Sequence, residues 1–270
     1  MTPRNLLRRR LTEGGTVLGI WQQLAHPAIA ELMALAGYEM VLIDMEHGPG
    51  SLFDTANMMR GIAGTGSSAM VRVPANDAIF LKQLLDQGPD GVMIPMVETA
   101  EAAGAAVAAC RYPPRGKRGW AAGVARAAQY GFDPDYTFKT SSELVIACQI
   151  ESVAGVENAD AIAAVDGVDV IFIGRNDLAA DSGHILELDH PAVDALVARS
   201  FEAARRHGKK VGTVPSAKRD WRSLLRDGYD IVVPSADTSF LRDAAAAEVA
   251  AYRQFGGAKD PGVRIATLGE

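Results

Sequence analysis

The sequence predicts a (β/α)8 barrel over residues 1–255, followed by a tail over 256–270. Three observations predict it. Short apolar runs of strand length alternate with Ala-rich amphipathic stretches of helix length, the pattern of a parallel sheet with crossover helices. Eight such units fit in about 250 residues, the usual size of that barrel. Polar side chains collect just where the apolar runs end, at the rim where such barrels place their sites. A doubly wound open sheet is the structural alternative. No Gly-x-Gly-x-x-Gly follows the first strand, so a dinucleotide fold has little support.

In chain order, the first strand is Thr16 to Trp21. His26-Pro27 opens a helix that Gly37 closes, with proline first and glycine last. The second strand is Met40 to Asp44, and Ser51-Leu52-Phe53-Asp54 starts the next helix as a capping box with Asp in place of Glu. The third strand is Ala69 to Val73, with a helix from about Asp77 to Asp86. The fourth is Gly91 to Pro95, with a helix from about Thr99 to Ala109. Then the rhythm breaks. Cys110 to Thr140 holds Pro113, Pro114, Pro134, several glycines and the basic run Arg115-Gly116-Lys117-Arg118. An excursion this long is usually functional or a partner contact. The fifth strand is the apolar run Leu144 to Ile150. The sixth is Val168 to Ile173. His190-Pro191 starts a helix to about His207, the seventh strand is Lys210 to Val214, and the eighth is Ile231 to Pro234. A last helix runs from about Thr238 to Phe255.

A net charge of −6 argues against nucleic acid and anionic membrane as partners. No apolar run approaches the ~18 residues of a membrane helix. Arg4 and Arg8-Arg9-Arg10 lack an apolar region behind them, so they read as the wet face of a short first helix rather than a secretory signal. The two cysteines, Cys110 and Cys148, have no metal-type spacing and fit a reducing cytoplasm.

The chemistry gathers at two strand ends. In Gln149-Ile150-Glu151 the amide and the carboxylate sit two apart, so both point the same way, and each is costly to bury unpaired. The sixth strand ends in Gly174-Arg175-Asn176-Asp177. Glu151 and Asp177 are hard oxygen ligands from neighbouring strands and suit Mg²⁺ or Mn²⁺, with Co²⁺ as a further candidate. Helix capping by either carboxylate is the plainer alternative. Gly174 allows close backbone approach, and the following N–H groups suit an anion. Arg72 lies in an apolar strand and needs a partner or a ligand, a salt bridge being the structural option. His47 follows Asp44 on one rim loop and can move protons, or it is a loop histidine without a task. Trp21, Gln22, Gln23, Glu46 and Ser216 complete the polar rim. A Schiff-base aldolase needs a lysine in a strand near the rim. The fifth and sixth strands have none, and Lys218 is the only loose candidate.

These residues resemble those of the metal-dependent 2-oxo acid aldolases of the HpcH/HpaI type, within the phosphoenolpyruvate/pyruvate barrel superfamily. The resemblance runs from about Leu6 to Ala250. It is carried by Asp44-Met45-Glu46-His47-Gly48, Val71-Arg72-Val73-Pro74, Leu84-Leu85-Asp86-Gln87-Gly88, Pro95-Met96-Val97-Glu98-Thr99, Arg118-Gly119, Gln149-Ile150-Glu151 and Asn176-Asp177-Leu178. It implies that Glu151 and Asp177 bind the metal. Gln149 and the backbone at Asn176 and Asp177 hold the pyruvate end. Arg72 stabilises the enolate oxygen, and His47 is the acid/base, made more basic by Asp86. It also implies a hexamer that exchanges the last helix between neighbours. Arg175 departs from the family's usual proline and adds a positive charge beside the metal loop.

The expected activity is reversible cleavage of a 4-hydroxy-2-oxo acid to pyruvate and an aldehyde through a metal-bound pyruvate enolate, with oxaloacetate decarboxylation as a side activity. The expected partners are thus a small 2-oxo acid and an aldehyde, whose pocket Trp21, Val214 and the 110–140 excursion would shape, with a neighbouring subunit as a further contributor. Two rivals remain. A lyase of acyl-CoA 3-hydroxy acids (malyl- or citramalyl-CoA type) would need a phosphate-binding surface, for which Arg115-Gly116-Lys117-Arg118 is the local candidate. A non-catalytic pyruvate- or metal-binding barrel is the other.

Overall fold

Eight parallel strands close into a barrel in chain order: β1 Val17–Gln22, β2 Met40–Asp44, β3 Ser68–Arg72, β4 Gly91–Ile94, β5 Val145–Ile150, β6 Val170–Ile173, β7 Lys210–Thr213 and β8 Ile231–Val232. The computed structural model describes residues 5–255, so the expected tail over 256–270 and Arg4 lie outside the described residues. Strand boundaries fall within one or two residues of the sequence expectation, and the open-sheet alternative is ruled out by the β8–β1 pairing of Val17 with Ile231.

The side-chain parity of the strands decides what faces the barrel axis. Met40 and Leu42 of β2, Met70 of β3, Val145 and Ala147 of β5, and Val170 and Phe172 of β6 form one buried cluster along the axis. The intervening residues, such as Val41, Ile43, Val71, Ile146 and Ile171, face outward and pack under the helices. On β2, β3 and β5, continuing the inward parity by two leads to a polar residue at the rim: Asp44, Arg72, and Gln149 then Glu151. Apolar layers fill the interior below, and the polar groups sit on top of them.

The helices return the chain outside the barrel. α1 is Leu6–Thr12, α2 Pro27–Leu35, α3 Leu52–Ile62, α4 Ala78–Leu85 and α5 Ala100–Cys110. The Ser51/Asp54 capping box at α3 is formed in both directions. The 110–140 excursion holds a 3-10 turn, Arg126–Gly131, and leads into α6 Tyr136–Glu143. Sequence periodicity did not reveal α6, nor the short α7 Val153–Glu157, α8 Ala159–Ala164 and α11 Trp221–Arg226, because one or two turns give too few repeats. α9 is Arg175–Asp181, α10 Pro191–Arg206 and α12 Asp237–Gln254. Among the described residues no helix is long and apolar enough to cross a membrane.

α1 corrects one expectation. It is not simply a wet face. Leu7 and Leu11 are buried in the axial cluster and close the barrel at its N-terminal end. Arg8 reaches under the sheet and donates to both Asp169 oxygens at 2.6 and 2.7 Å, with further bonds to the Glu143 and Leu144 carbonyls. Leu7 has no exposed surface, so truncating it removes packing from the axial cluster. Leu7→Ala is expected to lower the unfolding free energy by about 2–4 kcal/mol, read from urea midpoints, with the distant rim unaffected.

Candidate active site

The barrel interior rises at β5 into Gln149 and Glu151, both 2% exposed. The Glu151 carboxylate takes a hydrogen bond from the Met96 backbone N–H at 2.8 Å and a short one from the Gln149 side-chain amide. Met96 is in the left-handed region, φ 50°, so the chain after β4 pays local strain to aim that N–H inward. Gly174 closes the other side. A Cβ there would lie 2.5 Å from Glu151 Oε2 and 2.8 Å from Gln149 Nε2, so only glycine fits. Burial, then the charges of Asp177 and Glu46, push the Glu151 carboxyl up to about 7. Asp177 itself lies exposed in the first turn of α9, which begins with no side-chain cap and so leaves its first N–H groups free of helical partners.

Across the barrel mouth stands Arg72, the last residue of β3 and 5% exposed. Its Nε and Nη2 donate to Asp44 Oδ1 and Oδ2 at 3.0 and 2.7 Å. Its Nη1 lies 2.9 Å from Glu46 Oε2, off the N–H axis, so this contact is an ion pair rather than a hydrogen bond. The guanidinium rests on the Trp21 ring at 4.4 Å. Asp44 and Arg72 are register partners at the ends of adjacent strands, so the pairing was legible as opposite charges at equivalent strand ends. Burial alone would raise the Asp44 carboxyl; hydrogen bonds and charge from Arg72, helped by Gln23, outweigh it and hold it below the usual range. Burial is also the main cause of the raised Glu46 carboxyl. A second brace went unseen in the sequence: the buried Asp237 carboxylate takes N–H bonds from Gln22, Gln23 and Leu24 and fixes the loop after β1.

Between these walls lies a cleft of roughly 300 Å³. His47, Arg72, Gln149, Asn176 and Asp177 all line it, with Trp21 and Val214 as apolar walls. His47 is exposed there, its backbone N–H on Asp44. No lysine lines this cleft among the described residues, and Lys218 is exposed away from it.

Two expected contributors lie elsewhere, and a third turns its charge away. Asp86 caps the C-terminus of α4, at the end of the barrel where strands begin, and its carboxylate pairs with Arg118 at 2.8 Å. His47 is at the opposite end, so one chain cannot bring the two together; a contact requires a second copy. The excursion connects α5 to the start of β5 and packs at that same lower end, with Arg118 buried against Asp86 and Tyr136. It therefore neither shapes the cleft of its own chain nor offers it a basic phosphate site. Arg175 does line the cleft, but its charged end points to other partners. Its guanidinium is buried and turned toward Asp194 at 2.7 Å, Asp189 at 3.4 Å and the Leu188 carbonyl.

A profile of the HpcH/HpaI aldolase/citrate lyase family matches residues 17–244. The chain belongs to this family. A hydroxypyruvate/pyruvate aldolase of Chromohalobacter salexigens is 40% identical over 251 residues, 93% of this chain and 98% of that protein. A 4-hydroxy-2-oxovalerate aldolase of Novosphingobium aromaticivorans is 42% identical, covering 88% of this chain and 90% of the relative. The crystal structure of a HpcH/HpaI family protein from Burkholderia cenocepacia superposes with a TM-score of 0.87 at 36% identity, over 92% of this chain and 99% of the other. The protein is thus a carbon–carbon lyase, an aldolase of the HpcH/HpaI family. That sets aside the non-catalytic reading. The family is generally divalent-metal dependent.

The residues present fit such an ion. Glu151 and Asp177 bring two carboxylates together with little opposing charge, and the buried Gln149 Oε1 has no hydrogen-bond partner. Two predictions follow from this geometry. The folded Glu151 value of about 7 exceeds its ordinary 4.5, so the folded protein holds that proton more tightly than the unfolded chain. The corresponding stability is full below pH 4.5 and is lost as pH rises through about 7, on the order of 3 kcal/mol. Chelator-treated protein should therefore show denaturant midpoints that fall over this range by more than those of Glu151→Gln. Second, Gly174→Ala drives a methyl into Glu151 and Gln149; kcat/KM should fall at least tenfold with the far-UV circular dichroism unchanged.

Proposed function

We propose that this protein reversibly cleaves a 4-hydroxy-2-oxo acid into pyruvate and an aldehyde, and decarboxylates oxaloacetate as a side activity. The observation that carries the reading is one cleft lined by Asp177 and by Arg72, which Asp44 braces, with the buried Glu151 carboxylate beside Gln149 feeling the charge of Asp177. Glu151 and Asp177 hold the divalent ion, Mg²⁺ or Mn²⁺ first and Co²⁺ as an alternative. When bound, the ion supplies Lewis-acid polarisation of the keto oxygen. The Gln149 amide and the backbone N–H groups at Asn176 and Asp177 orient the pyruvate carboxylate. Arg72 has five N–H donors, of which Asp44 takes two in hydrogen bonds while Glu46 holds Nη1 by charge. The donors not bonded to Asp44 are the ones available to the oxygen on which enolate charge develops. His47, through a water, takes the proton from the C4 hydroxyl as the C3–C4 bond breaks and returns it in the reverse direction. Trp21, Val214 and Phe172 bound the aldehyde end.

Asp86 enters this scheme only from a neighbouring subunit, where it would raise the basicity of His47. The proposed assembly is a homohexamer exchanging α12, and the exposed Leu241, Val249 and Tyr252 along that helix support it. The 1–255 barrel acts as one domain with 256–270 as its tail. The compartment is the cytoplasm, in keeping with two buried, unpaired cysteines. The acyl-CoA reading is disfavoured, since its basic run lies at the wrong end of the chain's own barrel.

Chelation should abolish pyruvate release, and Mn²⁺ or Mg²⁺ should restore it; borohydride trapping of a pyruvate adduct on a lysine would overturn the scheme. Arg72→Lys keeps the charge but loses the fork, and kcat should drop about 10²–10³-fold with a smaller change in KM. A panel of aldehydes with pyruvate, together with malyl- and citramalyl-CoA, would identify the substrate.

A further inference from the structure

We propose that His184, Glu187 and His190 form a second metal site, for a borderline divalent ion of the zinc class, on the loop between α9 and α10. One ligand atom from each residue lies within 4.8 Å of the others. The loop is wound to stack them. Glu187 N donates to the His184 carbonyl and His190 N to the Glu187 carbonyl, both at 2.9 Å, so the three residues recur every third position on successive tight turns. Leu186, between the first two, is in the left-handed region at φ 67°, a conformation that costs a leucine about 1 kcal/mol or more.

The ligand atoms can be assigned. His190 Nδ1 accepts the Ala192 N–H at the start of α10, which fixes the ring and leaves Nε2 as its ligand. His184 has no side-chain hydrogen bond among the described residues; its ring stacks on His190 with centroids 3.6 Å apart and planes 16° from parallel. An imidazole lone pair lies in the ring plane, so two stacked rings cannot aim at one ion. Capture therefore tilts His184, the ring that nothing else holds. Both rings are half-buried and Glu187 is exposed, so the ion stays open to solvent or a fourth ligand.

Two imidazoles and one carboxylate select differently from the rim pair. Oxygen-only Glu151 and Asp177 suit a hard ion, whereas nitrogen donors favour Co²⁺, Ni²⁺, Cu²⁺ or Zn²⁺. The site is also tied to the cleft. The loop leaves the far end of α9, whose first turn carries Asn176 and Asp177. Its Asp189 is bonded to Arg175 below that turn and to the Ser216 hydroxyl and Lys218 N–H after β7. An ion on the three ligands would pin this loop, and with it the support of α9.

The test uses Zn²⁺ alone, on chelator-treated full-length protein in which Glu151→Gln and Asp177→Asn remove the rim carboxylates. One Zn²⁺ per chain is expected by equilibrium dialysis at micromolar ion, and Co²⁺ in its place should give visible absorption of nitrogen-ligated four-coordinate cobalt. His184→Gln, Glu187→Gln or His190→Asn (which keeps the cap) should each weaken binding about 10–100-fold. Should the rim variant not fold, the wild type is compared with His184→Gln: stoichiometry falls from two to one. Absence of Zn²⁺ binding in the folded rim variant, or stoichiometry and affinity indifferent to His184→Gln, would overturn the proposal and leave the histidines as a packing stack.

Discussion

A carboxylate held almost out of water, with one backbone N–H and one amide for company, is the constraint around which the rim is arranged. Burying Glu151 is unfavourable in proportion to its charge, and its neighbours Asp177 and Glu46 make it worse. The surrounding chain accepts further costs to keep it there. Met96 adopts a left-handed conformation to supply its N–H, and position 174 is confined to glycine by atoms of Glu151 and Gln149. A site so short of positive charge is suited to a cation.

The opposite wall solves the reverse problem. Arg72 is buried and charged, but Asp44, Glu46 and the Trp21 face hold it on three sides. Two hydrogen-bonded donors and the Glu46 ion pair fix its plane, so the free donors do not reorganise when a substrate oxygen arrives, which is how preorganised charge lowers barriers. Cation-binding and anion-binding walls thus face each other across a cleft sized for a small acid. A barrel of this kind supports many chemistries by varying the residues at its rim. What a member accepts is therefore set by residues lining the cleft rather than by the barrel itself.

The two ends of the barrel divide the labour. Leu7, Leu11 and Arg8 seal the lower end, and the excursion packs there through Arg118, Asp86 and Tyr136. Connections from helix to strand always land at this end of a (β/α)8 barrel. Knowing that Asp86 and the basic run precede strands, rather than follow them, is enough to exclude them from the cleft of their own chain.

Much of this was legible because a barrel strand has a period of two and a direction. Unbroken apolar runs located the strands, and the residues at their ends named the rim: Asp44, Arg72, Gln149, Glu151 and Asp177 all stand near the places expected of them. Single-turn helices were hidden, having no period to detect. The direction of Arg175 was hidden too, since its partners Asp189 and Asp194 come from a loop and a helix start that sequence cannot orient. By itself the sequence determined the fold and the inventory of rim chemistry, because side-chain parity and strand polarity are local properties of the backbone. Only the tertiary structure decided which charges compensate one another and which residue meets which end of the barrel, because electrostatic partnership depends on distances that close only when all eight strands do.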